Sequence, residues 1–177
     1  MANIDGPHGF RPIGPIRRIT KYNVDSGTGV TMFHNDLVTQ ETDGNCTRLS
    51  SENFILGSIV WIKSTAGIPL KYRPTSTAVT IGVADHPDQE FECQVNSTYV
   101  ATSRAANADI TDTAGNIITG MSAQELDYSG ISDSSDLHVK INRLLDQPGN
   151  AVGAAANVIV TINQHQRGHG DGSTGFA

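Results

Sequence analysis

The sequence is short of several things that whole classes of protein depend on. Only two cysteines occur, Cys46 and Cys93, far apart in the chain. A disulfide framework is therefore excluded, and two free, buried thiols are expected in preference to one long-range bridge. Cationic side chains are few. Twelve Lys and Arg stand against 18 Asp and Glu, for a net charge of −6, which argues against a nucleic-acid groove. No apolar run approaches the ~18–20 residues of a membrane span, and Met1–Gly6 lacks the apolar stretch of a signal peptide, so folding in a reducing cytosol is expected. On that basis the sequons Asn45-Cys46-Thr47 and Asn96-Ser97-Thr98 read as chance matches. Amphipathic helices of ordinary length are missing. So are a Gly-x-Ser-x-Gly elbow, a phosphate-binding loop and a local Cys–His pair, and neither an enzyme nor a cofactor is expected.

What is present is a series of short alternating stretches separated by turns, with 18 glycines among 177 residues. The clearest is Val79 to Val95. Val79, Ile81 and Val83 alternate with Thr80, Gly82 and Ala84; Asp85-His86-Pro87-Asp88 interrupts; then Phe91, Cys93 and Val95 alternate with Glu90, Glu92 and Gln94. This reads as a hairpin with one oily and one acidic, solvated face. Ile19 to Val24, Val30 to Val38, Leu137 to Ile141 and Asn157 to Asn163 read as further strands. Ser58 to Lys63, apolar on both faces, suits a buried strand or an edge that meets a neighbouring subunit. Thr42 to Arg48 reads as loop, Leu49 to Leu56 as room for one helical turn, and Ala101 to Ala106 as a short helix. The fold class predicted is mainly β: a compact β-barrel or β-sandwich with an extended N-terminal arm and little helix.

Residues 1–18 stand apart. Pro7, Pro12 and Pro15, with Gly6, Gly9 and Gly14, preclude a helix, yet Phe10, Ile13 and Ile16 point to an ordered arm. The arm carries +2, so the remainder carries −8. From Asp85 to Asp146 there are eleven acids and three bases. A β-rich body is expected over 19–165 and a Gly-rich tail over 166–177.

Candidate reactive groups are sparse. His165, His169 and Asp171 offer metal-ligand chemistry, but in a Gly-rich tail without a fixed third ligand a solvated tail is the expectation. Glu90 and Glu92 fall on one strand face, where paired catalytic carboxylates would need opposed placement. Ser132-Asp133-Ser134-Ser135-Asp136 lacks the Gly and terminal Glu of a calcium loop and reads as a polar turn.

Tyr72-Arg73-Pro74-Thr75-Ser76-Thr77, running on into Val83-Ala84-Asp85-His86-Pro87-Asp88-Gln89-Glu90-Phe91-Glu92-Cys93-Gln94, resembles a family of tailed-bacteriophage virion structural proteins similar to capsid decoration, or cement, proteins. Gly9-Phe10-Arg11-Pro12, Gln124-Glu125-Leu126-Asp127 and Val160-Thr161-Ile162-Asn163-Gln164-His165 fit the same pattern, which covers most of the chain to about 166 and leaves the tail unmatched. The resemblance implies a non-enzymatic protein on the outer face of a phage head, made in the host cytoplasm. Its partners would be the major capsid protein and further copies of itself, with a homotrimer suiting shell symmetry. Neither nucleic acid nor membrane is expected as a partner. On this reading the arm docks: Phe10 as apolar anchor, Arg11 as partner to a carboxylate or carbonyls, with Pro12, Ile13, Ile16 and Arg17 beside them. Trp61 and Ile59 are candidates for a subunit interface or the core. Alternatives are a head–tail connector, tail or minor capsid component, or a carbohydrate-binding adhesin module.

Overall fold

The computed structural model describes residues 3–49 and 54–168. In chain order the strands are β1 (Arg11–Pro12), β2 (Ile19–Val24), β3 (Met32–Phe33), β4 (Leu37–Gln40), β5 (Cys46–Arg48), β6 (Gly57–Ser64), β7 (Pro69–Leu70) and β8 (Tyr72–Arg73). They continue with β9 (Val79–Ala84), β10 (Glu90–Gln94), β11 (Thr98–Tyr99), β12 (Asn107–Thr111), β13 (Glu125–Ser132), β14 (Val139–Leu144), β15 (Gly153–Ala154) and β16 (Asn157–Ile162). A 3-10 turn at Ala101–Ser103 is the only helical element among the described residues, and no helix there is long and apolar enough to cross a membrane.

Two antiparallel sheets dominate. The first runs β1-β10-β16-β14-β12-β13; the second runs β2-β9-β6-β4-β5, with β7 alongside β6. Neither closes into a barrel, so of the two predicted architectures the sandwich-like one holds. Each sheet has its own core. Phe91 and Cys93 of β10, Val139 and Ile141 of β14, and Val158 and Val160 of β16 pack together in the first. Tyr22 and Val24 of β2, Val79, Ile81 and Val83 of β9, and Ile59 and Ile62 of β6 form the second. The period-two alternation read from the sequence supplies these faces. Leu37 and Ala84 of the second sheet join the first core, which fixes the sheets to each other. Cys93 lies in the first core and Cys46 in the second, both buried and free.

Several expectations are corrected. Val79–Ala84 and Glu90–Gln94 are strands, but they are not a hairpin. β9 pairs with β2 and β6, whereas β10 pairs with β1 and β16. The intervening Asp85–Gln89 is a corner between sheets. Val30 to Val38 is two strands, split where Asn35 takes a left-handed conformation (φ 67°). Thr42 to Arg48 contains β5, paired with β4 through Thr39 and Thr47. The expected helical turn at 49–56 rests on 50–53, outside the described residues. β6 is the middle of its sheet, between β9 and β4, and so is not a subunit edge.

Candidate functional site

The arm is extended and ordered, and the surface that orders it is the chain's own. It runs antiparallel to the corner and strand at 85–94. Asn3 reaches a separate loop, its amide donating to the Ala151 and Ala154 carbonyls at 2.8 Å. Gln94 then receives the arm, accepting from the Gly6 amide at 3.0 Å and donating to the Ile4 carbonyl at 2.9 Å. Glu92 holds Arg11 at 2.5 Å and His8 at 3.4 Å. The Ile13 amide donates to the Glu90 carbonyl at 3.0 Å, and Gln89 bridges the Ile13 carbonyl and the Arg17 amide. Arg17 lies 3.5 Å from Asp88, and Arg18 binds Asp85 at 2.7 Å. The acidic face of Glu90-Glu92-Gln94, expected to be solvated, is therefore largely covered: Glu92 and Gln94 are buried, and Glu90 is half-buried under a bidentate Arg143 at 2.7 and 2.9 Å.

Phe10 is the pivot of this arrangement. It is fully buried in the first core, its amide donates to the Asn35 carbonyl at 2.8 Å, and its carbonyl accepts from Ser58 Oγ at 2.6 Å. Gly9 precedes it with φ +74°, and a Cβ there would stand 2.4 Å from Ser122 Cβ, so only glycine fits. The sequence reading made Phe10 an anchor for another molecule; that is corrected, because the residue fills its own core. Arg11 does bind a carboxylate, but that of Glu92 in the same chain. Pro12 pairs with Phe91 in the β1–β10 ladder, and Ile13 is half-buried beside it. Ile16 and Arg17 face solvent. Trp61 is half-buried opposite Gly82, with Lys63 Nζ 5.0 Å from its ring centroid, while Ile59 is core.

The arm ends at a buried carboxylate, Asp85, which the sequence placed in an exposed turn and in the stretch that carries the family resemblance. Asp85 is fully buried, and its oxygens receive Arg18 Nε at 2.7 Å, Thr20 Oγ1 at 3.0 Å, Tyr22 OH at 2.6 Å and Arg167 Nη1 at 3.4 Å. Burial pushes its pKa upward, but the hydrogen bonds from Tyr22, Arg18 and Thr20 outweigh this and hold it below the usual carboxylate range. Burial and the hydrogen bond to Asp85 push the Tyr22 hydroxyl up to about 12. Glu92 is held low, chiefly by the hydrogen bond from His8, with Arg11 adding to it against the opposing effect of burial. Both carboxylates are anions at neutral pH, Glu92 bound to His8 and Arg11 of the arm and Asp85 to Arg18, Thr20, Tyr22 and Arg167. A general base needs a free lone pair and a pKa near the operating pH, so neither has the properties of one.

Two other buried groups were missed. Arg73 has no exposed surface, and its guanidinium donates to the carbonyls of Asp25, Thr28, Val30 and Thr77, shaping the 25–30 loop. Asp36 is likewise fully buried: Oδ2 accepts from the Phe33 amide at 2.7 Å, and burial pushes the carboxyl up to about 7. His165, expected in a solvated tail, is buried; its Nδ1 accepts from the Arg167 amide at 2.9 Å, and desolvation lowers its pKa to about 4. His169 and Asp171 lie outside the described residues, among which no group of three or more potential metal ligands gathers.

One signal for the arm's seat was present in the sequence. Arg11, Arg17 and Arg18 meet Glu92, Asp88 and Asp85 in reversed order, which is the charge register of an antiparallel pair. Compared with known proteins, the sequence matches no protein-family model and no curated protein.

Proposed function

We propose that this chain is a structural protein of a tailed-phage virion. It binds the outer face of the head and stabilises the shell across joints between capsomers, as a ring of copies, with the major capsid protein as its partner. The observation that carries this reading is the sequence run from Tyr72 to Gln94 with its resemblance to decoration proteins. It draws support from the structural role of that run: Arg73, Asp85, Gln89, Glu92 and Gln94 are all buried and bind the loops, the arm and the two sheets together. A protein that binds only the assembled shell stabilises it by mass action, with no chemistry required.

The shell contact belongs to the part of the arm that faces solvent. Ile16 and Arg17 are exposed, followed by Ile19 at 44% exposure, and they offer an apolar strip with a cation beside it. Phe10 has no part in that contact, since withdrawing it would empty the core. The test is cosedimentation of the Ile16→Asp/Arg17→Glu variant with shells stripped of the wild-type protein. Expected is an unchanged melting curve with loss of shell binding, and shells that rupture at lower temperature than those carrying wild type. Full binding by the variant would refute the contact, and stripped shells of unchanged stability would refute the stabilising role.

A further inference from the structure

Two surface features of the first sheet's periphery are used by neither the cores nor the shell contact. The first is the turn at 117–120, which exposes Ile117 and Ile118 at 59% and 75%. It is rigidly built. Asn116 Oδ1 accepts from the Ile118 amide at 2.8 Å, the Asn116 carbonyl from the Gly120 amide at 2.7 Å, and the Asn116 amide donates to the Met121 carbonyl at 2.9 Å. Its base is pinned to the body, since the His34 amide donates to the Gly120 carbonyl at 3.1 Å and the Ser122 amide to the His34 carbonyl at 2.9 Å. Gly115 lies against the Phe33 ring, where a Cβ would come within 2.6 Å. Two isoleucines held outward by such a frame lose little conformational entropy on binding, and covering them removes apolar surface from water. Lys71 packs its stem on Gly120, is exposed, and has no acidic partner among the described residues.

The second feature is a groove of about 470 Å³ lined by Asn3, Asp5, Val95, Glu125 and Val152, among others. Val152 in its wall is 53% exposed and Ala154 beside it is exposed as well, while Ile4, 85% exposed, lies outside the lining. The groove thus presents aliphatic surface and two carboxylates, neither with a cationic partner among the described residues. Burial, and then the charge of Asp5, push the Glu125 carboxyl upward, so a cation entering the groove relieves an unfavourable pair.

We propose that the turn bearing Ile117 and Ile118 seats in this groove on a second copy of the chain, with Lys71 placed against Asp5 and Glu125. The occupant is a second copy because both halves of the match, aliphatic with a cation and aliphatic with anions, are on one chain. The pinned base of the turn keeps it from bending back into its own groove. The contact is heterologous, head to tail, and closes into a ring where the rotation between copies permits. It rests on the chain's own surfaces and stands whether or not a shell is the final partner.

The test is sedimentation velocity on the full chain without shells, at low salt. Wild type sediments as an assembly, and Ile118→Asp, Lys71→Glu and Glu125→Lys each fall to the 18.8 kDa monomer with unchanged melting curves. Mixing Ile118→Asp with Glu125→Lys gives a dimer, because the first keeps an intact groove and the second an intact turn. Combining Lys71→Glu with Asp5→Asn and Glu125→Lys in one chain restores assembly by exchanging the charges. A monomeric wild type, or single variants that assemble as wild type does, would overturn the proposal.

Discussion

Trp61 occupies the space that a side chain at position 82 would need. The two residues are opposite one another on β6 and β9, and a Cβ on Gly82 would stand 2.1 Å from both Cε2 and Nε1 of the indole. The Gly82→Ala variant must therefore expel the ring, at a cost of about 1–3 kcal/mol for the overpacked site. Trp61 is the only tryptophan, so its emission should shift to the red as the indole becomes solvated. Trp61→Ala in the same chain should recover part of the lost stability, and an unshifted spectrum in Gly82→Ala would contradict the packing.

Phe10 should behave as a core residue of the body. Phe10→Ala removes a fully buried ring and should lower the unfolding free energy by about 3–5 kcal/mol. Hydrogen exchange should rise both at 8–13 and along β10, since the arm covers that strand. A change confined to the first ten residues, with an unaltered urea midpoint, would show the arm to be independent of the fold.

Arg73 donates to four carbonyls without contact with water. Arg73→Met leaves those acceptors short of donors and should cost about 3–5 kcal/mol. Arg73→Lys restores the charge but not the planar fork, so it should recover only part of the loss. Equal urea midpoints for the Lys variant and wild type would show that the fork geometry is unimportant.

Asp36 should make stability fall as pH rises from about 4 to 7. Folded, it holds its proton up to about pH 7, whereas the unfolded chain releases it near 3.8. Its stabilising contribution is complete below the unfolded value and is lost as pH rises through 7, by up to about 4 kcal/mol for a shift of roughly three pKa units. Asp36→Asn keeps an acceptor for the Phe33 amide and cannot ionise. Stability measured as wild type minus variant should fall between pH 4 and 8; a difference independent of pH would refute the assignment.

His165 works in the opposite direction. Burial holds it neutral down to about pH 4, while the unfolded chain takes up a proton near 6.5. Its contribution is complete above 6.5 and is lost as pH falls toward 4. His165→Asn should flatten that acid limb in urea titrations, and a limb of unchanged slope would show that the ring titrates freely.

The strands at Ile19–Val24, Val79–Ala84, Glu90–Gln94, Val139–Leu144 and Asn157–Ile162 were legible because alternation reports which side of a strand is buried. It does not report which strand lies next to which. Two alternating runs joined by five residues therefore looked like a hairpin, when Asp85 was in fact drawn into a network with Arg18, Thr20 and Tyr22 at the corner between two sheets. Phe10 and Ile13 correctly signalled an ordered arm. Their destination was illegible because an apolar side chain states only that it needs a pocket, not whose. Arg73 and Asp36 were missed for a related reason: a charged residue reads as exposed until the carbonyls or amides that satisfy it are known.

The arm's seat also fixes an order of events. Asn3 bonds to residues 148 and 151 positions away, and Arg11 to one 81 positions away. At about 5–20 residues per second, roughly eight to thirty seconds separate synthesis of the arm from synthesis of its farthest partner. For that interval the Phe10 side chain has no core to enter, because β14 and β16, which help build it, have not been made. The arm, made well before its partners, thus settles only after them. Loop closures of this span place the chain among slow folders, and completion of the first core waits on the meeting of segments about 150 residues apart.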